Sequence, residues 1–273
     1  MPSQPVRIMT RWALVAALAV GGCDDAQQPE AGTARPLLAA AVVSDPATSS
    51  ASTGVVLRGA ASGTVVYVSL PPGTLPGAES ATIRNPRTGA TLSVAMVNGG
   101  FDPVAMDASA GDTLELDVQV AGSDELLFFA MVVPERRPPI VVRTDPPPRK
   151  RDVPLNAVML VVFSEPIDPA SLDGAIQLFR GAVPVAGRVE AQGPANLAAA
   201  FLPGAPLAAG ATYRLVVTEA VADQDGENLP SPVAAEFTTG LADSTALSQV
   251  AFVSYRDDPT LTTGEIYVMN ADG

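Results

Sequence analysis

The sequence predicts an all-β protein with two β-sandwich modules in tandem, preceded by a signal and tether segment and followed by a partial hairpin. Composition is the first indication: 47% of the residues are apolar but only 5% are aromatic, and the chain contains 23 glycines and 26 prolines. Short apolar runs alternate with polar residues, and turn sequences such as Asn-Gly-Gly separate these runs. This mixture favours short strands joined by many turns over long helices.

Residues 1–22 have the features of a cleavable export signal. Arg7 and Arg11 precede an apolar run over residues 12–20, and charge returns at Asp24 and Asp25. A membrane-spanning helix needs about 20 apolar residues, and this run is roughly half that length, which is typical of the apolar region of a signal peptide. The segment therefore predicts export rather than a membrane span.

The export signal ends at the single cysteine of the chain. Val20, Gly21, Gly22 and Cys23 resemble the lipobox of bacterial lipoproteins, with valine at the position where leucine is usual. The resemblance implies cleavage before Cys23, a diacylglyceryl group on its thiol, and a lipid-anchored protein of the cell envelope, either periplasmic or surface-exposed. The alternative is an ordinary signal peptide with a chance cysteine.

Residues 23–53 are predicted to form the lipid anchor and a flexible tether. The segment is rich in Ala, Ser, Thr, Gln and Pro and has few large apolar residues. Such a composition buries too little surface to offset the entropy of ordering the chain. We therefore expect the folded part of the protein to begin after residue 53.

Residues 54–134 are predicted to form the first sandwich module. Apolar runs such as TVVYVSL, ATLSVAMV and DTLELDVQV alternate with turn sequences at 85–89, 98–100 and 110–112. Strands at this spacing are typical of sandwiches. The run from SATIRN to GDTLELDV resembles a bacterial Ig-like or related surface β-module.

Residues 138–240 carry separated motifs that predict a second sandwich. VMLVVF is typical of a buried strand, and Asp168 followed by Pro169 predicts a capped turn of helix. In LAAGATY, Tyr213 follows a turn at Gly210 and resembles the tyrosine corner of Greek-key sandwiches. FTTG ends the last strand. Together these motifs resemble the SbsA-type bacterial Ig-like domain of S-layer and other exported proteins.

Residues 241–273 have a different pattern. SQVAFVSYRDD followed by GEIYVMNADG resembles the opening of a TolB-like propeller repeat. A propeller blade has four strands and a propeller has several blades. We therefore expect an incomplete repeat that forms a hairpin.

Charge and composition exclude several classes of function. The formal net charge is −13, so nucleic acid is not an expected partner, because phosphate backbones require a basic face. The chain has no histidine, which excludes Ser-His-Asp and Cys-His nucleophiles and zinc sites that need histidine. We expect no cofactor and no catalytic residues.

Two acidic clusters are candidate sites. Asp223, Asp225, Glu227 and Asn228 could supply oxygen ligands to calcium, but Gly226 stands fourth where an EF-hand loop has its glycine sixth. Ordinary turn chemistry is the favoured interpretation, and calcium is the alternative. The second cluster, which could formally serve two-carboxylate glycoside hydrolysis, is better explained by capping and strand ends; it consists of Glu165, Asp168 and Asp173.

The sequence therefore predicts an exported envelope lipoprotein with a structural or adhesive role and a protein partner, held at the membrane by its lipid. One alternative is the N-terminal part of a larger propeller-containing envelope protein or peptidase whose functional domain follows residue 273. Another is a binder of polysaccharide or a small ligand. Module resemblance alone does not choose among these classes.

Lipidation of Cys23 can be tested directly. Cys23→Ser removes the thiol that would carry the lipid, so the protein should leave the membrane pellet and lose acyl labelling. Gly22→Ala keeps a small residue before the cleavage point and should change neither property. Membrane association that persists unchanged in Cys23→Ser would contradict the lipobox assignment.

Overall fold

A computed structural model describes residues 38, 40–48, 64–123, 126–193, 195–241, 249–254 and 265–270, the last two ranges as backbone strands. The described residues form 18 strands and one short 3-10 helix, which confirms the predicted all-β fold. Two sandwiches lie in tandem, followed by a separate two-stranded hairpin. The predicted signal peptide, Cys23 with its predicted lipid and most of the predicted tether lie outside the described residues.

The first sandwich consists of eight antiparallel strands in two sheets. Strand β3 pairs with β1 and β2 along one side and with β6 along the other, and the second sheet has the order β5-β4-β7-β8. The strands are β1 (Val42–Val43), β2 (Ala47–Thr48), β3 (Thr64–Leu70), β4 (Ala78–Arg84), β5 (Thr91–Ala95), β6 (Phe101–Asp107), β7 (Thr113–Val120) and β8 (Leu126–Val132).

The first sandwich begins earlier than the sequence predicted. Residues 41–45 are buried, and β1 pairs with β3 through Val42 opposite Ser69 and Val43 opposite Val68. The tether prediction over residues 23–53 is therefore wrong for this part of the segment. The physical reason is local: an apolar run, LLAAAVV, lies within a region whose average composition is polar, and its last two residues, Val42 and Val43, pair with β3.

Period-2 alternation builds the core of the first sandwich. Val66, Val68 and Leu70 point inward from β3 and are completely or almost completely buried. They belong to one apolar cluster with Leu114, Leu116 and Val118 of β7. Each such side chain contributes about 1.5–3 kcal/mol by leaving water. Burial of these two alternating rows is what holds the two sheets together.

A polar network joins the two turns at one end of this sandwich. The buried Asn85 Nδ2 donates to the carbonyl of Asp107 at 3.0 Å and to Asp112 Oδ2 at 2.9 Å. Arg87 Nη2 donates to Asp112 Oδ2 at 2.7 Å, and the Ser109 amide donates to the same oxygen at 2.9 Å. The Arg87 guanidinium, with these neutral donors, holds the pKa of Asp112 well below its usual range. The turn sequences thus connect β4–β5 with β6–β7.

The second sandwich also has two antiparallel four-stranded sheets. Their orders are β13-β14-β10-β9 and β12-β11-β15-β16. The strands are β9 (Val141–Asp145), β10 (Met159–Phe163), β11 (Ile176–Arg180), β12 (Val183–Pro184), β13 (Gly187–Gln192), β14 (Ala198–Pro203), β15 (Thr212–Val217) and β16 (Val233–Thr238). The predicted buried strand is β10, in which Met159, Val161 and Phe163 are fully buried.

The predicted capped turn is the 3-10 helix Pro169–Leu172. Asp168 is its N-cap, and Oδ1 of Asp168 accepts from the Ala170 amide at 3.0 Å. Proline is favoured at the first helical position because its missing N–H has no partner to lose there. The turn prediction is therefore confirmed.

The predicted tyrosine corner is present as well. The Tyr213 hydroxyl accepts a hydrogen bond from the Ala208 amide at 2.7 Å, five residues upstream. The Tyr213 ring stacks on Phe237 of β16, with ring centroids 5.8 Å apart. This hydrogen bond fixes the loop that enters β15 against the core.

The C-terminal hairpin pairs β17 (Gln249–Ser254) with β18 (Glu265–Asn270) in antiparallel register. Its two strands coincide with the two motifs from which a hairpin was predicted. The propeller family itself remains a prediction. Among the described residues, no helix is both long enough and apolar enough to cross a bilayer.

Tyr213→Phe should lower the free energy of unfolding by about 1–2 kcal/mol, because the partly buried Ala208 amide loses its acceptor. Urea unfolding followed by circular dichroism measures this loss. Tyr67→Phe is the matched control, since the structure gives the Tyr67 hydroxyl no hydrogen-bond partner among the described residues. A Tyr213→Phe loss no larger than that of the control would contradict the corner.

Candidate functional site

The outer face of β3 forms an apolar contact with the second sandwich. Because Val66 and Val68 point into the first core, Val65 and Tyr67 point to the opposite face of the sheet. There they pack with Ala195 of the loop before β14, and all three side chains are buried. The partly buried Ala105 and Leu197 extend this cluster. Strand β3 is thus covered on both faces, and the two sandwiches share a small core of their own.

Two ion pairs join the second sandwich to the first sandwich or to the linker. Arg143 of β9 binds Asp102 of β6 through both ends of its guanidinium, Nε to Oδ1 at 2.6 Å and Nη2 to Oδ2 at 2.7 Å. Arg136 Nη2 lies 2.9 Å from Glu227 Oε1. One partner of each pair is more than half exposed to solvent, Asp102 at 51% and Arg136 at 67%, so each pair contributes at most about 1 kcal/mol. Their main effect is to fix orientation.

A cleft of about 840 Å³ opens between the sandwiches on the side of Arg143. Strands β5, β6, β9 and β16 all contribute to its walls, and each stands at the end of its sheet. Apolar side chains dominate the lining, among them Val97, Phe101, Val142 and Ala234. Edge strands carry backbone groups that do not pair within their own sheet. The cleft therefore combines an apolar wall with nearby backbone donors and acceptors.

A cluster of carboxyl groups lies at the same inter-sandwich contact. We call Asp45, Glu165, Asp223, Asp225 and Glu227 the acidic cluster. Asp45 follows β1 in the first sandwich, and the others belong to the loops after β10 and β15 in the second. Asp45, Glu165 and Asp223 are 8%, 4% and 4% exposed, respectively.

The central contact of the acidic cluster joins the side chains of Asp45 and Glu165, which are hydrogen-bonded to each other. Ser164 Oγ also donates to Glu165 Oε1, at 3.2 Å. Burial raises the pKa of Glu165 to about 9, and the neighbouring carboxyls of Asp45 and Asp223 add to this rise. Burial likewise raises the pKa of Asp45 and of Asp223. Glu165 is therefore a neutral acid at pH 7.

The four calcium candidates form a turn. Asp223 Oδ1 accepts from the amides of Asp225 at 2.9 Å and Glu227 at 2.8 Å, and the Asn228 side chain donates to the Glu219 carbonyl at 3.0 Å. Gly226 has φ +83°, where a side chain would be strained. This geometry is the turn chemistry that the sequence favoured.

The same loop retains two unpartnered oxygens. Asp223 Oδ2 and Glu227 Oε2 are buried without a hydrogen-bond partner. Within the described part of the chain, however, no three acidic, cysteine or histidine side chains are arranged to hold a metal ion. The described residues therefore show no arrangement of calcium ligands at Asp223, Asp225, Glu227 and Asn228.

The structure separates the three carboxylates that were considered for glycoside hydrolysis. Asp168 caps the 3-10 helix, and Asp173 follows the end of that helix and is exposed. Glu165 is buried in the inter-sandwich contact. Three different structural positions explain the three residues, in agreement with the interpretation from capping and strand ends.

Asp45 and Tyr67 are the site residues that sequence reasoning missed. Asp45 was assigned to the tether, although Ser-Asp-Pro directly after the apolar run AAAVV is the pattern of a short buried strand and its turn. Tyr67 lies in TVVYVSL, which was predicted as a strand. The continuous apolar character of that strand, rather than an alternating one, was the available indication that both of its faces are buried.

Comparison with known proteins identifies the second sandwich. Residues 135–239 match the family described as bacterial Ig-like domain, which confirms the Ig-like prediction for this module. A comparison with curated proteins finds no match.

Similar solved structures include the S-layer protein SbsC and the BSP domain of a biofilm-associated protein. The SbsC chain is 18% identical over 43% of this chain and 15% of its own length, with a TM-score of 0.31. The biofilm-associated protein is 17% identical over 66% of this chain and 27% of its own, with a TM-score of 0.30. The chain therefore spans less than a third of the length of either protein.

The cleft should bind a neutral apolar dye such as Nile red. Ala234→Arg places a charge on the lining and should weaken dye binding at least several-fold, because a guanidinium in an apolar wall is costly to desolvate. Fluorescence titration measures the effect. Ala209→Arg, on an exposed loop away from the cleft, should bind dye like the unmodified chain, and equal binding by all three proteins would contradict the cleft as the apolar site.

Proposed function

We propose that this chain is an exported, lipid-anchored protein of the cell envelope whose tandem Ig-like sandwiches act as a structural or adhesive spacer. The observation that carries the proposal is the buried contact between the sandwiches. Val65, Tyr67 and Ala195 form an apolar centre, and the Asp102–Arg143 ion pair also joins the two sandwiches. A pair of sandwiches joined in this way presents its surfaces in a constant orientation, which a spacer or scaffold requires.

The match of residues 135–239 to a bacterial Ig-like domain supports a non-enzymatic role for the second sandwich. The absence of histidine from the sequence supports the same role, because it removes the commonest general base and nucleophile-activating group. The one carboxyl with a strongly raised pKa, Glu165, lies in a packed contact rather than in an open cleft. No residue in this region is proposed as catalytic.

Anchoring in the envelope is supported by the sequence around Cys23. An apolar run of signal-peptide length ends at Val-Gly-Gly-Cys, and the thiol of Cys23 would receive the lipid. The formal net charge of −13 supports a protein partner rather than nucleic acid. The partner would contact surfaces that the paired sandwiches hold in place.

The cleft supports a second candidate function, the binding of a small ligand. Its volume of about 840 Å³ lies in the range of small-molecule sites, and its lining is mainly apolar. Phe101 is the one aromatic residue in the lining and is itself buried, so the cleft offers no exposed ring for stacking a sugar. A small apolar ligand therefore suits it better than a polysaccharide.

The third candidate is that these sandwiches support a larger protein whose functional domain follows residue 273. It is favoured by the pairing of β17 with β18 at the two motifs that resemble a TolB-like repeat. Sequencing the reading frame beyond Gly273 in its source genome tests it, and further repeats or a peptidase domain would support it.

Ala195→Arg tests the spacer role. The longer, charged side chain cannot fit between Val65 and Tyr67, so the sandwiches should separate while each keeps its own core. We expect small-angle scattering of the purified chain to show a larger radius of gyration. Cells with this variant should lose adhesion or envelope integrity at unchanged protein level in the membrane fraction.

Ala209→Arg is the matched control, since it adds the same group at an exposed loop position and should behave like the unmodified chain. Normal adhesion and envelope integrity in cells whose Ala195→Arg protein is demonstrably extended would show that a fixed orientation is not needed, and would contradict the spacer role.

A further inference from the structure

Two buried carboxyl groups hydrogen-bond to each other between the sandwiches. Asp45 comes from the first sandwich and Glu165 from the second. A hydrogen bond between two carboxyl groups needs one proton, because two carboxylates are both acceptors. Without that proton, two negative charges would lie at hydrogen-bond distance in a poorly solvated contact. The contact therefore has a protonation requirement built into its geometry.

We propose that the Asp45–Glu165 contact is a proton-dependent latch, which joins the sandwiches while the pair holds its proton and releases them as the proton is lost. The latch acts on the same contact that buries Val65, Tyr67 and Ala195. Release would therefore expose this apolar surface and change the relative orientation of the sandwiches.

Among the described residues, the groups around the pair do not replace the proton with another positive charge. On the second sandwich the Ser164 hydroxyl donates to Glu165, and Asp223 raises its pKa further. On the Asp45 side, the nearby charges are those of Asp225 and Glu227, which are also acidic.

Arg136 is the basic residue bound to the acidic cluster among the described residues. Its guanidinium pairs with Glu227 and is 67% exposed. It therefore neutralises the outer part of the cluster rather than the buried pair.

A further buried oxygen makes loss of the proton more costly. Asp223 is 4% exposed, and its Oδ2 has no hydrogen-bond partner, whereas its Oδ1 is bound by two amides. An oxygen of this kind adds uncompensated negative potential to a region of low dielectric constant. Ionisation of Glu165 would add a further negative charge to the same field.

The direction of the pH effect follows from this arrangement. The ordinary pKa of Glu165 is 4.5, and in the joined state it is about 9. Between these values the joined state binds more protons than the separated state. The equilibrium therefore shifts towards separation as pH rises, by up to about tenfold per pH unit for one proton, and it becomes flat below and above this window.

The test measures the distance between the sandwiches directly. In the full chain carrying Cys23→Ser, spin labels are attached at Ser80→Cys and Ala209→Cys, two exposed positions on different sandwiches. Pulsed electron resonance gives the distance distribution over a series of urea concentrations at pH 5 and pH 9. We expect a narrow distribution that broadens at a markedly lower urea concentration at pH 9. Equal midpoints at the two pH values would overturn the proposal.

Two isosteric variants identify the group responsible. Glu165→Gln supplies a permanent donor to Asp45, and Asp45→Asn supplies one to Glu165, so each should abolish most of the difference between pH 5 and pH 9. Glu190→Gln, an exposed glutamate paired with Arg188, is the control and should retain the full difference. If circular dichroism shows that one isostere does not fold, the other decides the question. A full pH difference in a folded isostere would overturn the proposal.

A measurement with added calcium tests whether a bound cation, rather than a shared proton, neutralises the acidic cluster. Addition of millimolar CaCl₂ at pH 9 should leave the distance distribution of the unmodified latch unchanged. If calcium restores the narrow distribution, a cation rather than a proton neutralises the acidic cluster, and the latch as proposed is wrong.

Discussion

Burial of β3 on both faces is the constraint on which the rest of this structure depends. Val66, Val68 and Leu70 close the first core, while Val65 and Tyr67 on the opposite face require cover from outside the first sandwich. A single sandwich leaves one face of each sheet in water, so a strand of this composition cannot be satisfied by its own module. The loop at Ala195 of the second sandwich covers these two side chains. The contact between the two sandwiches follows from this need for cover.

Polar groups are arranged around that apolar centre rather than within it. The Asp102–Arg143 pair is partly exposed, and solvent there lowers the cost of holding charge. Asp45 and Glu165 lie deeper, where charge is costly, and there the raised pKa of Glu165 keeps one carboxyl neutral. The position of each group thus determines whether it forms an ion pair or a shared-proton contact. The cleft is lined by edge strands of both sandwiches, namely β5, β6, β9 and β16.

Features set by local chemistry could be predicted from the sequence, whereas those set by long-range contacts could not. The Asp168 cap and the Tyr213 corner each depend on a few neighbouring residues, and both were predicted. The Asp45–Glu165 contact joins residues 120 positions apart in different modules, and neither residue has a local pattern that names the other. Glu165 was assigned to a strand end, which is correct for its backbone but does not account for its burial. The start of the fold was missed because the short run before Asp45 was averaged with its polar surroundings.

The two-residue length of β1 has a mechanical consequence. A pull applied from the N-terminal side reaches β1 before any other described strand, and only Val42 and Val43 pair it with β3. Because β1 is followed directly by Ser44 and Asp45, peeling it away would also withdraw Asp45 from Glu165. The Ser44 hydroxyl, which accepts from the Tyr67 amide at 2.9 Å, would leave with it. Tension on the leading end of the chain therefore acts together on the contact between the sandwiches and on the first core, to which Val43 belongs.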